Sequence, residues 1–397
     1  MLDYLATNTI VINCKNNTSM SDSGDGFKLG TQRRTFLKIA GASGLTTVGV
    51  SGTGAAQSGD TTPSICEKAD SDADIYVTVL GSGASALKNG RSQVGYIVHL
   101  DGEPRILVDT GGGTAAAVSE AGIDITALDI VLFTHLHVDH TSDFPAMLKA
   151  SYQQGRDGRQ WQILGPTGEG SRPGTKAWVS KLFDKTDGAY SYIHEFVHDY
   201  LGTDVRLETT DISAPVDSSG EIQTVYERDG LSIQAAPTKH GAMPSLAYRI
   251  TYGGSTFTFT GDYSSKLGNV PTLAEGSDVL VQNRLLKPQS ELKGSYGPKR
   301  TLHSTPEEVG TNAQTAGANM LVLSHVSRDE VTDLERELGV IAQRYAGPIV
   351  VAKDLLDIYP DGEVVSSTAN PETGVGTHGN DADMLFRPNL GSSNDEQ

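Results

Sequence analysis

The chain has little cysteine, few aromatic residues and no long apolar run. Two cysteines in 397 residues exclude a disulfide framework and a zinc finger built on cysteine. The absence of an apolar run of about 18 residues excludes an ordinary transmembrane helix. No Gly-x-Ser-x-Gly nucleophile elbow and no Gly-Lys-Ser/Thr phosphate loop occurs. These absences disfavour serine hydrolases of that type and phosphate-loop nucleotide enzymes.

Basic residues are outnumbered by acidic ones. The chain has 31 Lys and Arg against 49 Asp and Glu, a net charge of −18. Such a charge repels phosphate backbones, and the basic residues are not interleaved with aromatic ones. We therefore expect no nucleic-acid partner. The composition is similar to the acidic surfaces of proteins from salt-loving organisms. With 37% hydrophobic residues and 45 glycines, the chain can still form a packed core.

A segment near the start resembles a twin-arginine export signal. Arg33 and Arg34 stand in Gln-Arg-Arg-Thr-Phe-Leu-Lys, and residues 39–50 after them are weakly apolar. Small residues at 54–56 offer a cleavage site. The pattern predicts passage through the twin-arginine export machinery and an extracellular or cell-surface location.

The chain divides into four regions by composition. Residues 1–56 form the signal region, with Met20 as an alternative start, and 57–73 read as a linker. Residues 74–365 carry regular apolar patterning and form the predicted folded domain. The tail, 366–397, is rich in Gly, Asn, Asp, Ser and Thr and is predicted to be disordered.

Short strand patterns alternate with helical ones between residues 74 and 365. Because both types recur through two halves of similar style, we predict an α/β or α+β layered domain. The predicted strands are 75–80, 94–100, 105–109, 130–133, 161–164, 231–236, 246–252, 255–260, 279–282, 320–324 and 349–352. The predicted helices are 114–121, 143–153, 175–200 with a break near 187, one that begins at about 305, and 328–345.

The densest chemical signal is a group of histidines. The chain has ten histidines, and three of them fall within His135-Leu136-His137-Val138-Asp139-His140. This segment directly follows an apolar strand, where a turn can direct several side chains to one point. Imidazole nitrogens with a carboxylate oxygen suit zinc and related divalent metals. We therefore predict a metal site here, and four ligands so close can serve two ions.

Further single residues follow strands in a fixed order along the chain. Asp109 lies in Leu-Val-Asp-Thr-Gly, His240 in Thr-Lys-His-Gly, Asp262 in Thr-Gly-Asp and His325 in Leu-Ser-His. Together with the His-x-His-x-Asp-His segment, this series resembles the metallo-β-lactamase superfamily. The likeness extends in order from about residue 76 to 358.

The resemblance implies a fold and a set of site residues. The fold would be a single-domain αββα sandwich, with the site at one edge between the sheets. One metal would take His135, His137 and His240, the second would take Asp139, His140 and His325, and Asp262 would bridge the two. Asp109 would orient the metal loop without binding metal. The two divalent ions, most simply Zn²⁺ with Mn²⁺ or Fe²⁺ as alternatives, would hold a bridging hydroxide as nucleophile.

Another element narrows the branch of the superfamily. His303-Ser304-Thr305 is similar to the His-Ser-Thr element of ribonuclease Z and zinc-dependent arylsulfatases. By that likeness His303 would act beside Asp139 as a catalytic residue, assisting the leaving group or stabilising charge. Two departures oppose tRNA processing. Only a short hairpin lies between Ile250 and Gly261, and Gln282-Asn283-Arg284 replaces a His-Glu-Ala stretch of that branch.

These patterns predict an exported metal-dependent hydrolase of ester bonds. We expect small sulfate or phosphate esters as substrates, in the manner of an arylsulfatase or phosphodiesterase. Carbonyl chemistry, as in a lactonase or β-lactamase, is one alternative, and a metal-binding protein that retains the fold without activity is another. The sequence leaves the oligomeric state open, and a homodimer is compatible with it.

A competing motif, His194-Glu195-Phe196-Val197-His198, matches the His-Glu-x-x-His helix of zinc proteases. No third ligand follows at a suitable distance, and the stronger His/Asp set would remain unused. We therefore favour a surface helix near the substrate cleft over a protease site.

Overall fold

Two eight-stranded β-sheets pack face to face, with helices on both outer sides. The structure is a computed structural model that describes residues 73–87, 90–155, 159–197, 205–283, 287–292, 298–327, 331–366 and 385–386. The predicted signal region lies outside the described residues, as do the linker up to residue 72 and most of the predicted tail. None of the helices in the described part has the length and apolar character required to span a membrane.

The first sheet contains strands from the first half of the domain and two that return from its end. Its order is β15-β14-β1-β2-β3-β4-β5-β6, and β3 to β6 run parallel. The strands are β1 Ile75–Gly81, β2 Gly95–Leu100, β3 Glu103–Thr110, β4 Ile130–Leu132, β5 Arg159–Pro166, β6 Val205–Ile212, β14 Leu356–Ile358 and β15 Val364–Ser366.

The second sheet is formed by the second half of the domain. Its order is β16-β13-β12-β11-β10-β9-β8-β7, and β10 to β13 run parallel. The strands are β7 Gln223–Arg228, β8 Leu231–His240, β9 Met243–Tyr252, β10 Ser255–Phe259, β11 Val279–Asn283, β12 Met320–Ser324, β13 Ile349–Val351 and β16 Leu385–Phe386.

Eight α-helices occur in the described residues. They are α1 Thr114–Glu120, α2 Val138–Thr141, α3 Phe144–Gln154, α4 Thr175–Phe183, α5 His194–Val197, α6 Asn269–Leu273, α7 Pro306–Ala316 and α8 Val331–Ala342. Helix α7 begins at a capping box, in which Thr305 accepts from the backbone of Glu308 and Glu308 bonds back to Thr305.

The period-2 alternation within each strand divides its side chains between two apolar layers. In β3, Ile106 and Val108 point into the core between the sheets, whereas Leu107 packs with the helices outside. The helices α1, α3 and α4 cover the first sheet, and α7 and α8 cover the second. Because strands buried on both faces are apolar throughout, the order of layers is helix, sheet, sheet, helix. The predicted αββα sandwich is therefore confirmed.

Several elements differ from the sequence-based prediction. Strands β6 and β7 were not predicted, because their exposed positions are polar and they lack a continuous apolar run. The predicted helix over 175–200 is three shorter pieces: α4, a 3₁₀ turn at Ser191–Ile193 and α5. Within the tail that was predicted to be disordered, Leu385–Phe386 pairs with β13. Short α2, inside the histidine segment, was also missed.

Strand direction explains where polar residues gather. The strands β3 and β4 of one sheet and β8, β10, β11 and β12 of the other all end at the same edge of the sandwich. Backbone and side-chain bonds join the sheets there: Leu246 N–H donates to the carbonyl of Thr134 at 2.8 Å, and the Tyr248 hydroxyl donates to that of Phe133 at 3.0 Å. Residues that follow these strands are thus brought together from distant parts of the sequence.

Candidate metal centre

The seven predicted ligands meet at this edge of the sandwich. His135, His137, Asp139 and His140 lie in the turn after β4 and in α2, and the other three follow or end strands of the second sheet. Each of those three is buried: His240 is 2% exposed, Asp262 3% and His325 2%. Burial of so many polar side chains without a compensating charge would be costly, so the cluster has the character of a binding site.

The first group consists of three imidazoles. Nε2 of His135 lies 3.0 Å from Nδ1 of His137, and that same Nδ1 lies 3.2 Å from Nε2 of His240. All three offer nitrogen atoms within 4.8 Å of one another. Three nitrogens at such spacing form a face that one cation can share.

The second group combines a carboxylate with two imidazoles. Asp139, His140 and His325 offer ligand atoms within 4.8 Å of one another, and Nε2 of His325 lies 3.3 Å from Oδ2 of Asp139. Asp262 lies between the two groups. Its Oδ1 is 3.6 Å from Nε2 of His140, and its Oδ2 is 3.7 Å from Nε2 of His240. The clusters thus suggest a site for two metal ions, divided as the sequence predicted.

Hydrogen bonds outside the cluster set the orientation of two of the rings. Nδ1 of His140 donates to Oδ2 of Asp109 at 2.7 Å, and Nδ1 of His240 donates to the carbonyl of Leu302 at 2.7 Å. A carbonyl oxygen can only accept, so His240 carries its proton on Nδ1 and turns an Nε2 lone pair toward the cluster. This is the arrangement that a metal-binding histidine needs.

The protonation states suit a cation. Burial, together with neighbouring His240, lowers the pKa of His137 to about 4, and burial also lowers the pKa of His135 well below its usual value. Burial alone would raise the pKa of Asp139, but the hydrogen bond with His325 and the charge of His140 lower it to about 2. Neutral imidazoles beside an ionised carboxylate form a donor set that fits divalent zinc, manganese or iron.

Further support for a missing cation comes from unpaired buried atoms. Nε2 of His140 and Nδ1 of His303 are buried without a hydrogen-bond partner. Such atoms are rare in native proteins unless a ligand or ion satisfies them. The residues therefore fit a metal centre.

Backbone strain is concentrated at two of these residues. Asp109 has φ 57° and His325 has φ 55°, both in the left-handed region that residues with a Cβ seldom adopt. Asp109 is held there by Thr134, whose N–H and hydroxyl donate to its carboxylate at 2.8 and 2.7 Å. Such strain costs about 1–3 kcal/mol per residue and typically persists where function requires the geometry.

His303 lies beside the cluster, at the side formed by the second sheet. Its Nδ1 is 4.0 Å from Oδ2 of Asp262, and its ring centre is 5.1 Å from that of His240 and 6.0 Å from that of His325. Burial lowers its pKa to about 3, although the charge of Asp262 opposes this. With His240 and Asp262 it forms a further group capable of holding a metal. The structure thus places His303 where it can contact a molecule bound at the site.

Several residues that shape the site carried no recognisable signal in the sequence. Thr134 holds Asp109, and the carbonyl of Leu302 holds His240. The Tyr263 hydroxyl donates to Gln282 at 2.8 Å and accepts from Asn312 at 2.7 Å, beneath the segment that bears His303. These contacts depend on positions far apart in the chain, so only the fold shows them.

The competing His-Glu-x-x-His motif does not join this centre. His194 and Glu195 begin α5, and His198 lies outside the described residues. Within the described part of the chain, the groups capable of holding a metal include neither His194 nor Glu195.

Comparison with known proteins assigns the family. The model of the beta-lactamase superfamily domain matches residues 104–326, more than half of the chain. The chain belongs to this superfamily. It is a metal-dependent hydrolase with the metallo-β-lactamase fold, on the branch that resembles ribonuclease Z.

Sequence relatives cover most of the chain. Ribonuclease Z of Mycolicibacterium paratuberculosis is 28% identical over 302 residues, which span 72% of this chain and 99% of that protein. Ribonuclease Z of Mycobacterium marinum is 27% identical over 294 residues, or 71% and 97% of the two chains.

Solved structures show the same fold. The metallo-β-lactamase fold protein YhfI from Bacillus subtilis matches with a TM-score of 0.52 and 21% identity, covering 73% of this chain and 98% of that one. The short form of human tRNase Z matches with a TM-score of 0.53 and 19% identity, covering 71% and 98%. The predicted membership of this superfamily is therefore confirmed. The expectation that no nucleic acid binds conflicts in part with the names of these relatives.

Proposed function

We propose that the protein hydrolyses small phosphate or sulfate esters at a centre of two divalent metals. The observation that carries this proposal is the position of His303, 4.0 Å from Asp262 and beside both metal-binding groups. A superfamily member that acts only on carbonyl groups has no evident use for this additional histidine. The relatives named ribonuclease Z also support attack at phosphorus.

The ligands divide as the two groups of the cluster do. His135, His137 and His240 would hold one ion, Asp139, His140 and His325 the other, and Asp262 would be shared. Two such ions would supply Lewis-acid activation of water and neutralise charge on the non-bridging oxygens of the ester. Zinc is the proposed metal because imidazole predominates in the donor set, and Asp and His also accept manganese or iron.

The protein's own residues would orient the ester. Asp109 and the Leu302 carbonyl hold the rings of His140 and His240, so these groups need no rearrangement when substrate binds. His303 would meet the leaving oxygen and donate a ring N–H to it as the ester bond breaks. The buried surroundings strengthen this hydrogen bond, because water is excluded from its side of the site.

Cleavage of RNA is a second candidate, favoured by the names of the relatives. The net charge of −18 opposes it, because a polyanionic substrate would be repelled before it reached the centre. The hairpin between β9 and β10 turns at Gly253 and Gly254 and leaves no arm there. A small ester carries far less charge and is less affected by this repulsion.

The proposal extends to the location of the enzyme. Arg33 and Arg34 support export through the twin-arginine machinery and a place outside the cell or at its surface. The acidic composition supports function where counter-ions are plentiful. Substrates would then be extracellular small esters and not tRNA precursors.

Four substrates test the proposal. Metal-loaded protein without residues before Gln57 would be assayed at high salt with bis(p-nitrophenyl) phosphate, p-nitrophenyl sulfate, a simple lactone and a short RNA. Turnover of either ester that disappears in D139A supports the proposal. Turnover of the lactone alone overturns it in favour of carbonyl chemistry, and turnover of RNA alone overturns it in favour of the second candidate. Tight metal binding without any turnover indicates a binding protein.

A further inference from the structure

The stretch in which this chain departs from its branch lies directly beside the metal centre. Gln282 and Asn283 end β11, and both side chains are buried, with 0% and 3% exposure. Asn283 pairs in register with Ser324, the residue that precedes His325. Its side-chain amide Nδ2 donates to Oδ1 of Asp262 at 2.7 Å. This bond reaches the one carboxylate that lies between the two metal-binding groups.

We propose that Asn283 is a positioning residue that fixes the orientation of the Asp262 carboxylate between the two metal-binding groups. The inference rests on the proposed role of Asp262 as the shared ligand. A carboxylate turns easily about its terminal bond, and that torsion has broad energy wells. One buried hydrogen bond to Oδ1 restricts the rotation, so Oδ1 faces His140 while Oδ2 faces His325, at 3.6 and 3.3 Å.

The backbone of Asn283 is itself anchored. Its N–H donates to the hydroxyl of Thr260 at 3.4 Å, and this hydroxyl donates to the carbonyl of Gly261 at 2.8 Å. The strand end that carries Asn283 is therefore tied to the loop that carries Asp262. The amide and the carboxylate form a unit whose geometry is set before a metal binds.

A neutral amide suits this position better than an acid. A carboxylate at residue 283 would lie at hydrogen-bond distance from Asp262 in a buried site, and two like charges there repel strongly. The amide donates without adding charge, so Asp262 stays ionised and available to metal.

Gln282 serves the neighbouring segment and not Asp262. It accepts from the Tyr263 hydroxyl, which in turn accepts from Asn312. The hydroxyl of Ser304 donates to the Tyr263 carbonyl at 3.1 Å. The two amides of the departing stretch thus have separate roles, one toward the carboxylate and one toward the segment that bears His303.

The test measures metal binding and not turnover. N283L keeps the volume of the side chain and removes the donor, and N283S is a smaller replacement whose hydroxyl is too short to reach Asp262. The matched control is N319L, because Asn319 donates to Asp278 at 3.0 Å in the same way but at an exposed position. Zinc affinity would be measured by chelator competition, and the absorption spectrum of the cobalt-loaded protein would report the coordination geometry.

We expect N283L and N283S to bind zinc about 10–100-fold more weakly than wild type and to show an altered cobalt spectrum. N319L should match wild type in both. Circular dichroism of the metal-free proteins would show which variants fold, and N283S decides the question if N283L does not. Unchanged zinc affinity and spectrum in a folded Asn283 variant would overturn the inference alone. A wild type that binds no metal would overturn the proposed centre as well.

Discussion

His140 and Asp109 form a fully buried pair whose nearest atoms, Nδ1 and Oδ2, are 2.7 Å apart. Asp109 ends its hydrogen-bonding capacity on this ring and on Thr134, so it has no part in the metal-capable groups of the described residues. Their relationship explains how a turn of a few residues can hold several histidines in one arrangement: the neighbouring strand supplies the acceptor that aligns the last of them.

Replacement of Asp109 by Asn should weaken metal binding without removing a ligand. An amide cannot accept from both Thr134 and His140 as the carboxylate does, so the His140 ring loses its fixed orientation. We expect zinc affinity to fall about 10–100-fold. Chelator competition would measure it, with D129N as control, because Asp129 pairs with Arg105 at the surface. An equal loss in both variants would contradict the assigned role.

Removal of Asp139 should affect one ion of two. D139A takes the carboxylate from the second group and leaves the first group of three imidazoles intact. Elemental analysis should therefore find bound metal reduced from about two per chain towards one. D124A is a suitable control, since Asp124 only caps an exposed 3₁₀ turn. Unchanged stoichiometry in D139A would remove Asp139 from the ligand set.

Loss of His303 should slow the reaction while both metals remain bound. H303A removes the group that we place at the leaving oxygen, so esters with poor leaving groups should be slowed most. A decrease in kcat of about 100-fold is expected for such esters. Rates for a series of substituted phenyl esters would be compared with wild type at equal metal content. Equal slowing across the series would contradict a role at the leaving group.

Gly261 should tolerate no side chain. Its φ of 57° lies in the left-handed region, and a Cβ there would approach the Cβ of Thr134 to 2.6 Å. G261A should therefore lower the free energy of unfolding by about 3 kcal/mol, the sum of strain and clash. G268A is the matched control, because Gly268 has φ 72° and open space around it. Calorimetric unfolding should show a clearly smaller loss for G268A, and similar losses would argue against the close approach.

The arginine pair should determine export. Changing Arg33 and Arg34 together to Lys keeps the charge but loses the pattern that the twin-arginine machinery reads. Precursor should then accumulate inside the cell, as detected by immunoblotting of cell and medium fractions. Replacement of Lys28 and Lys38 by Arg would serve as the control. Normal secretion of the paired variant would mean that these arginines are not the signal.

The apolar strands that end at the site were predictable. The runs at Met320–Ser324 and Val279–Asn283 are apolar for nearly their whole length, as in strands buried on both faces. Polar edge strands were not predictable, because their alternation is weak and their stability depends on a neighbouring strand. Helix α4 ends earlier than predicted, because the chain turns back at Asp184, whose side chain accepts from the N–H groups of Thr186 and Asp187.

The sequence by itself determined which residues could bind metal. Three histidines and an aspartate within six positions after a strand indicate a metal site by chemistry and spacing alone. Only the tertiary structure decided how the distant residues complete it. His240, Asp262 and His325 meet the histidine turn because their strands end at one edge, and Asn283, Thr134 and the Leu302 carbonyl orient them through contacts across the two sheets. Local spacing cannot encode such contacts, because they form when the packing of two apolar sheets fixes the edges that face each other.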